Sequence, residues 1–217
     1  DLTNTSIKKP IDDVKKISLL SLELKSLTPI EIKNSFQQLI KRKDKNTYLI
    51  SLGSGTNFRE KFNKIEYEKT LNLSSKYPVK SSKITNVLKI LLKGAKNDKE
   101  KLHYILAYVS NVLIDSYTAN TDDAIQMLDN QKGDCTEHAI LFTTLARAAG
   151  IPAREVSGLI YNDDNEAPGF LAHAWAESVL DGEWIALDPL WRENTINATH
   201  IKLDQLDFLK ISEINII

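Results

Sequence analysis

Only one cysteine occurs among the 217 residues of this sequence. A lone cysteine cannot form a disulfide within the chain, and it excludes zinc sites built from several thiolates. The 28 basic and 29 acidic residues give a net charge of −1, so the basic excess typical of nucleic-acid-binding domains is missing. Hydrophobic runs are also short, and none approaches the roughly 20 residues of a membrane span. We therefore expect neither a nucleic-acid partner nor a transmembrane segment in this chain.

The composition is that of an ordinary globular protein, with 42% hydrophobic and 26% charged residues. A chain of this length buries roughly 70% of its unfolded surface. We predict a region of unknown role at residues 1–80, either an extension or a small α/β subdomain, and a main domain at residues 81–217. Because the chain begins with Asp1 and not with methionine, we expect a processed or trimmed form, with a lean towards an extracytoplasmic location.

Periodicity in the first 80 residues predicts a helix from Pro29 to about Lys43, then strands at residues 48–52 and 65–73. Further along the chain, apolar residues recur at helical spacing. This spacing predicts helices at residues 84–92, 98–114, where Asp98 is the expected N-cap, and 121–128.

The cysteine lies in the segment Gly133-Asp-Cys-Thr-Glu-His-Ala. Asp134 followed three residues later by Glu137 predicts a capping box, and Gly150 marks the far end of the helix. The helix should therefore begin at Cys135. A helix N-terminus stabilises a thiolate, and its unpaired N–H groups can bind an oxyanion formed when the thiolate attacks a carbonyl. The alternative is that Cys135 is simply a small buried residue, which is commoner for an arbitrary cysteine.

A hairpin downstream offers partners for a nucleophile. Residues 170–180 alternate with the period of a strand, and Asp181-Gly182 is a strong signal for a two-residue hairpin turn. That turn places Asp188 opposite Trp175. His173 is then a diagonal neighbour of Asp188 on the same face, at roughly 7 Å between backbones, which allows an imidazole–carboxylate hydrogen bond.

Separated motifs in this order resemble the core of the transglutaminase-like superfamily, a papain-like group that contains transglutaminases, microbial proteases and peptide N-glycanases. The resemblance extends over about residues 98–191. Its motifs are Gly133-Asp-Cys-Thr-Glu-His-Ala, Arg147-Ala-Ala-Gly-Ile-Pro-Ala-Arg154, Gly158, His173-Ala-Trp-Ala-Glu177 and Trp184-Ile-Ala-Leu-Asp-Pro189.

By this resemblance Cys135 is the nucleophile, His173 the general base and acid, and Asp188 the group that orients the imidazole. The resemblance also implies an α+β fold, in which N-terminal helices precede the nucleophile helix and that helix packs on an antiparallel β-sheet. Residues 81–217 would then be the catalytic core.

The expected function is thiol-dependent acyl transfer on peptide or carboxamide bonds of a protein or peptide substrate, with no cofactor and no metal. Hydrolysis is favoured, because a compact core without the extra β-domains of the large animal cross-linkers resembles the microbial hydrolytic members. Cross-linking by a lysine amine stays open, as does a catalytically silent module that binds peptides. A metal-dependent hydrolase is a weaker alternative, since no ligand cluster is visible in the sequence.

Two assignments near the nucleophile stay open. His138 lies one turn after Cys135, and a role in the core or on the helix surface is favoured over a Cys-x-x-His metal pair. A second oxyanion donor is expected upstream of the nucleophile, and Gln131, Gln126 and Tyr117 are candidates that the sequence does not rank.

Overall fold

The fold is known from a computed structural model, which describes residues 5–7, 11, 13–54, 58–71, 76–117, 120–163 and 168–217. The helices are α1 (Lys64–Thr70), α2 (Ser82–Leu91), α3 (Asp98–Val112), α4 (Ala124–Asn130) and α5 (Cys135–Ala148). The strands are β1 (Thr5–Ser6), β2 (Leu19–Ser26), β3 (Gln38–Arg42), β4 (Thr47–Gly53), β5 (Ile114–Asp115), β6 (Lys132–Gly133), β7 (Ala153–Asn162), β8 (Gly169–Leu180), β9 (Glu183–Leu187), β10 (His200–Lys202) and β11 (Ile211–Ile216). Within these ranges, none of the helices has the length and hydrophobicity needed to cross a membrane.

Contacts divide the chain into two compact units, each assembled from separate segments. We call residues 61–156 and 174–195 the helical unit, and residues 1–60, 157–173 and 196–217 the strand unit. Helix α1 belongs to the helical unit, and the domain boundary near residue 80 stays a prediction. The Tyr67 hydroxyl of α1 accepts from the Ala153 amide and donates to the Ala153 carbonyl, both at 3.1 Å. The separate role expected for residues 1–80 stays a prediction.

The strand unit is built on an antiparallel sheet in the order β11-β2-β4-β3. Leu22 and Leu24 of β2 and Ile50 and Leu52 of β4 are each no more than 1% exposed. Burial of every second residue is the period of a strand with one face in the core. The strand predicted at residues 48–52 is therefore confirmed.

The helix predicted from Pro29 to Lys43 is wrong, because its C-terminal part is strand β3. Ile40 of β3 lies opposite Ile50 of β4, so pairing across the β3–β4 hairpin overrides the apolar periodicity. The segment before β3 is anchored by the Tyr48 hydroxyl, which accepts from the Ile30 amide at 3.0 Å and donates to the Ile30 carbonyl at 2.8 Å. Both main-chain groups of Ile30 are thus satisfied outside a helix.

The strand predicted at residues 65–73 is also wrong, because residues 64–70 form helix α1. Residues 72 and 73 lie outside the described residues. The Asn63 side chain caps the helix by accepting from the amides of Ile65 and Glu66. Ile65 is 69% exposed, so the alternation that suggested a strand does not mark a buried face.

The helices predicted downstream are confirmed as α2, α3 and α4, with shifts of a few residues at their ends. The N-cap of α3 is Asn97 and not Asp98, since the Asn97 side chain accepts from the Glu100 amide at 2.9 Å. This is the bond from an N-cap residue to the third helical residue.

Helix α5 is the centre of the helical unit. All of its residues from Glu137 to Ala146 are buried. Its large side chains share one hydrophobic core with Ala176 of β8 and Leu187 of β9. In the sheet of these strands the order is β1-β8-β7-β10, with β9 paired to β8, and the pairs β1–β8, β7–β10 and β8–β9 are antiparallel. The α+β class, with the cysteine helix packed on an antiparallel sheet, is confirmed.

Candidate active site

Cys135 is the first residue of α5, as the sequence predicts, and it is partly exposed. A complete capping box precedes it. The Asp134 side chain accepts from the Thr136 amide at 2.8 Å, and the Glu137 side chain accepts from the Asp134 amide at 2.9 Å. The thiol therefore lies at the positive end of a helix of 14 residues. That position stabilises a thiolate and offers N–H donors to an oxyanion.

Glu137 links this helix start to the segment before α4. It is 4% exposed, and its second carboxylate oxygen accepts from the Thr121 amide at 3.2 Å. Burial raises the pKa of Glu137, and the Asp134 carboxylate beside it acts in the same direction. A Cβ added at Gly133 would lie 2.5 Å from the Glu137 Cβ, which is too close for two carbons. The glycine before the nucleophile is thus required so that Glu137 can pack against the turn.

Two short strands run side by side just ahead of the nucleophile. β5 pairs with β6 in parallel, with Ile114 opposite Lys132 and Asp115 opposite Gly133. The Ser116 amide donates to the Gly133 carbonyl at 3.0 Å and continues this pairing. The pairing stops there, because Cys135 begins helix α5, and Tyr117 follows Ser116 directly in the chain.

His138 belongs to the core, which confirms one of the two roles favoured for it. It is 1% exposed, and its Nδ1 lies 2.7 Å from the Asp134 carbonyl oxygen, which can only accept a hydrogen bond. Burial lowers the pKa of His138, and nearby oxygens, including the carboxylates of Asp115 and Asp188, only partly oppose this effect. A histidine that is neutral, buried and bonded to its own helix is a poor partner for a thiolate.

The predicted hairpin forms with the predicted register. Leu180 lies opposite Glu183 and Ala176 opposite Leu187. Asp181 and Gly182 both have positive φ, 53° and 79°, as a tight two-residue hairpin turn requires. One further step along the ladder sets Asp188 opposite Trp175.

Asp188 directly follows the second strand of this hairpin and is fully buried. Its Oδ1 accepts from the amides of Leu190 and Trp191 at 3.0 and 3.3 Å. Its main chain exchanges two hydrogen bonds of 2.9 Å with Glu193. Asp188 therefore closes the turn after β9, which is the structural role of an aspartate at the end of a strand.

His173 lies on β8, two residues before Trp175, and the alternation of the strand sets both side chains on one face. It is 7% exposed and belongs to the strand unit. One aromatic neighbour in that unit is His200, whose ring centroid lies 5.9 Å away at an interplanar angle of 59°. Roles for Cys135, His173 and Asp188 as one catalytic set stay a prediction.

Sequence reasoning does not single out His200, since it stands alone, 27 residues beyond His173 and outside the quoted motifs. β10 pairs with β7, and His200 lies opposite Ile160. This pairing fixes the position of His200 in the strand unit. His200 is 2% exposed. The ring nitrogens by which the two histidines could bind a metal ion lie within 4.8 Å of each other.

Comparison with known proteins defines the class. Residues 85–189 match the family described as the transglutaminase-like superfamily. This part of the chain therefore belongs to the transglutaminase-like superfamily. The extent of the match includes the cysteine helix and the whole hairpin through Pro189.

Individual relatives agree with that class. The chain is 27% identical over 146 residues to the mouse (Mus musculus) kyphoscoliosis peptidase, an alignment that covers 63% of this chain and 22% of the mouse protein. Its fold is similar to that of a candidate cysteine protease from Cytophaga hutchinsonii, with a TM-score of 0.60 and 15% identity over 92% of this chain and 86% of the other. It is also similar to the periplasmic domain of TgpA from Pseudomonas aeruginosa, with a TM-score of 0.56 and 16% identity over 82% and 76% of the two chains. The family match and the name of the mouse relative indicate a family that contains enzymes.

Proposed function

We propose that this protein is a thiol-dependent acyl-transfer enzyme that acts on peptide or carboxamide bonds. The observation that carries the proposal is the position of Cys135, the only cysteine, as the first residue of a fully capped helix within the family segment. We assign the role of nucleophile to Cys135, of general acid and base to His173, and of imidazole orienter to Asp188. The hairpin register supports this assignment, because it sets His173 and Asp188 as diagonal neighbours on one face.

The reaction follows from these roles in two halves. The Cys135 thiolate attacks the carbonyl carbon, and the oxygen becomes an oxyanion held by the N–H groups at the start of α5. The C–N bond then breaks, the protonated His173 imidazole donates its proton to the departing amine, and a thioester remains. In the second half His173 removes a proton from water, the hydroxide adds to the thioester, and the acid leaves as the thiolate is restored.

Asp188 would combine this role with its structural one. Its Oδ1 closes the turn by accepting from the Leu190 and Trp191 amides. We assign its Oδ2 to the His173 imidazole. A carboxylate held by two main-chain donors cannot rotate freely, so it would fix the tautomer and the direction of the ring.

Tyr117 is the favoured second oxyanion donor among the candidates from the sequence. The amide of its neighbour Ser116 donates to the Gly133 carbonyl, two residues before Cys135, so Tyr117 directly follows the pairing that precedes the nucleophile. Gln126 accepts from the Thr121 hydroxyl at 3.1 Å.

Hydrolysis is favoured over cross-linking. The mouse relative is named a peptidase, and the present chain covers 22% of that protein. A peptidase resolves the thioester with water, whereas a cross-linking enzyme resolves it with a lysine amine. Transfer to lysine is the second candidate function, since the family segment shares the name of the transglutaminases. A catalytically silent module that binds peptides is the third.

Mass spectrometry of a peptide library containing glutamine and lysine separates these functions. Cleavage products that have gained water across a peptide bond indicate proteolysis, and conversion of glutamine to glutamate indicates deamidation. Loss of ammonia with joining of two peptides indicates cross-linking. The matched control is Cys135→Ala under the same conditions. A library left unchanged by the native protein, together with slow alkylation of Cys135, would favour the silent module and contradict our proposal.

A further inference from the structure

We propose that His173 and His200 form a binding site for a transition-metal ion such as Zn²⁺. Both side chains belong to the strand unit, both are almost fully buried, and their metal-binding nitrogens lie within 4.8 Å of each other. Inhibition by this metal rests on the proposed function, because the ion would occupy the imidazole that we assign as general base. Metal binding itself does not depend on that assignment.

A chain of hydrogen bonds determines which nitrogen of His200 carries hydrogen and which carries the lone pair that a metal needs. The Asn197 amide nitrogen donates to the Val14 carbonyl at 3.0 Å, so the Asn197 Oδ1 faces the Thr199 hydroxyl and accepts its proton. Thr199 has only one hydroxyl hydrogen. At the 3.0 Å contact between the Thr199 Oγ1 and the His200 Nδ1, the hydroxyl must therefore accept, and the imidazole donates.

His200 is consequently the neutral tautomer with hydrogen on Nδ1 and a lone pair on Nε2. Neutral imidazole is the form that binds metals, and ligating histidines characteristically donate their other N–H to an oxygen. The Thr199 hydroxyl supplies that oxygen. The hydrogen bonds that run from Val14 to Thr199 thus orient the His200 ring, as hydrogen bonds around a metal site orient a ligating histidine.

The spacing of the two rings fits a shared ion after a small adjustment. Zinc–nitrogen bonds of about 2.0–2.1 Å in a tetrahedral site put two ligating nitrogens roughly 3.3 Å apart. The observed limit of 4.8 Å requires an approach of up to about 1.5 Å, which rotation of the His173 ring could supply. Two imidazoles suit Zn²⁺, Co²⁺, Ni²⁺ and Cu²⁺, and not Mg²⁺ or Ca²⁺. Water would complete the coordination.

Cobalt is the probe for the binding test, because its visible absorption reports the ligands directly. We would titrate Co²⁺ into the full chain carrying Cys135→Ser, which removes the thiolate as a competing ligand. We expect visible bands without the near-ultraviolet absorption of a cobalt–thiolate bond, and we expect Zn²⁺ to displace the cobalt. Absence of saturable binding would overturn the proposal.

Two further variants test the ligands. In the same background, His200→Asn removes one ligand and should abolish the bands. Thr199→Val keeps both ligands but removes the outer-shell oxygen, and should weaken Co²⁺ binding by about 10–100-fold. The exposed His103 on α3 provides the control His103→Asn, which should bind as the parent does. If His200→Asn does not fold, the Co²⁺ affinity of Thr199→Val alone decides whether the site exists. Binding that is equally tight in both His200→Asn and Thr199→Val would refute the site.

Activity then tests the inhibition. Zn²⁺ should inhibit the native protein reversibly, with recovery on chelation, and Thr199→Val should need at least tenfold more Zn²⁺ for half-inhibition, each protein being compared with its own zinc-free rate. A protein that binds Co²⁺ through His200 but has no activity would contradict the proposed function and leave the metal site standing. An active protein that binds no Co²⁺ would contradict the metal site and leave the proposed function standing.

Discussion

In the helical unit Cys135 is held by its immediate neighbours in the chain, whereas in the strand unit His200 is held by residues far from it in sequence. The capping groups of Cys135 come from Asp134 and Glu137. His200 depends on pairing with Ile160 and on a hydrogen-bonded series that ends at Val14. The first arrangement forms wherever the helix forms. The second exists only when the whole strand unit has folded, so substitutions in the two places should have different consequences.

The strongest test of the local arrangement is Cys135→Ala. We expect complete loss of acyl-transfer activity with the fold preserved, because the thiolate is the only nucleophile in the assignment and its side chain makes no cap bond. Turnover and melting temperature should be measured together. Since this is the only cysteine, the native protein should also take up a single equivalent of iodoacetamide at neutral pH. Appreciable turnover in the variant would remove the nucleophile assignment.

Asp188→Asn asks whether the end of the hairpin does more than close a turn. Asparagine keeps an oxygen that can accept from the Leu190 and Trp191 amides, so melting should change little. If the carboxylate orients His173, turnover should fall by roughly ten- to a thousand-fold, which is less than the 10⁴ seen in a serine-protease triad, because a thiolate needs less help from its base. Turnover against pH, beside melting curves, is the measurement. An unchanged profile would make Asp188 a turn residue only, and a matched fall in melting would mean damage to the fold.

Tyr117→Phe tests the assignment of Tyr117 as the second oxyanion donor. Loss of the phenol should lower kcat by roughly tenfold with little change in KM. The effect should be below the usual range for an oxyanion donor, because Tyr117 is 78% exposed and water competes for the same oxyanion. Gln126→Leu and Gln131→Leu are the matched controls. If either glutamine variant lost more activity than Tyr117→Phe, the ranking would be wrong.

Gly133→Ala tests how the local arrangement around Cys135 contributes to stability. The added Cβ would lie 2.5 Å from the Glu137 Cβ, so the helix start must shift. We expect a loss of about 1–3 kcal/mol in the free energy of unfolding, together with a changed alkylation rate at Cys135. Gly94→Ala is the control, since its φ of 95° is strained for alanine but no atom lies within 4 Å of the new Cβ. That variant should lose stability while the thiol reacts at the native rate.

The smallest expected effect concerns acid stability. Burial lowers the pKa of His138 in the folded state, so the unfolded chain takes up a proton first as the pH falls through about 6.5. Stability should therefore drop below that pH, by at most about 1.4 kcal/mol per pH unit for one proton. His138→Gln should flatten this part of the melting-temperature profile, and the exposed His103→Gln should not. Equal slopes in the native protein and His138→Gln would contradict this account.

The features that could be predicted are those whose determinants lie within a few residues. The capping box at Asp134 and Glu137 and the turn at Asp181-Gly182 are present as expected. The two failures, at residues 29–43 and 65–73, have a common reason. Apolar periodicity marks a helix face only when something covers that face, but Ile65 is exposed and Ile40 pairs with Ile50 across the β3–β4 hairpin.

The sequence by itself determined where the nucleophile helix begins, how the hairpin is registered and to which superfamily the segment belongs. The helix start and the hairpin register depend on short-range rules of capping, turn conformation and strand alternation, whereas the superfamily follows from the resemblance of the motifs. Only the tertiary structure decided that His200 lies beside His173 and that β5 runs along β6 ahead of Cys135. Both contacts join residues far apart in the chain, and such contacts depend on pairing and burial across a folded unit, which no local pattern encodes.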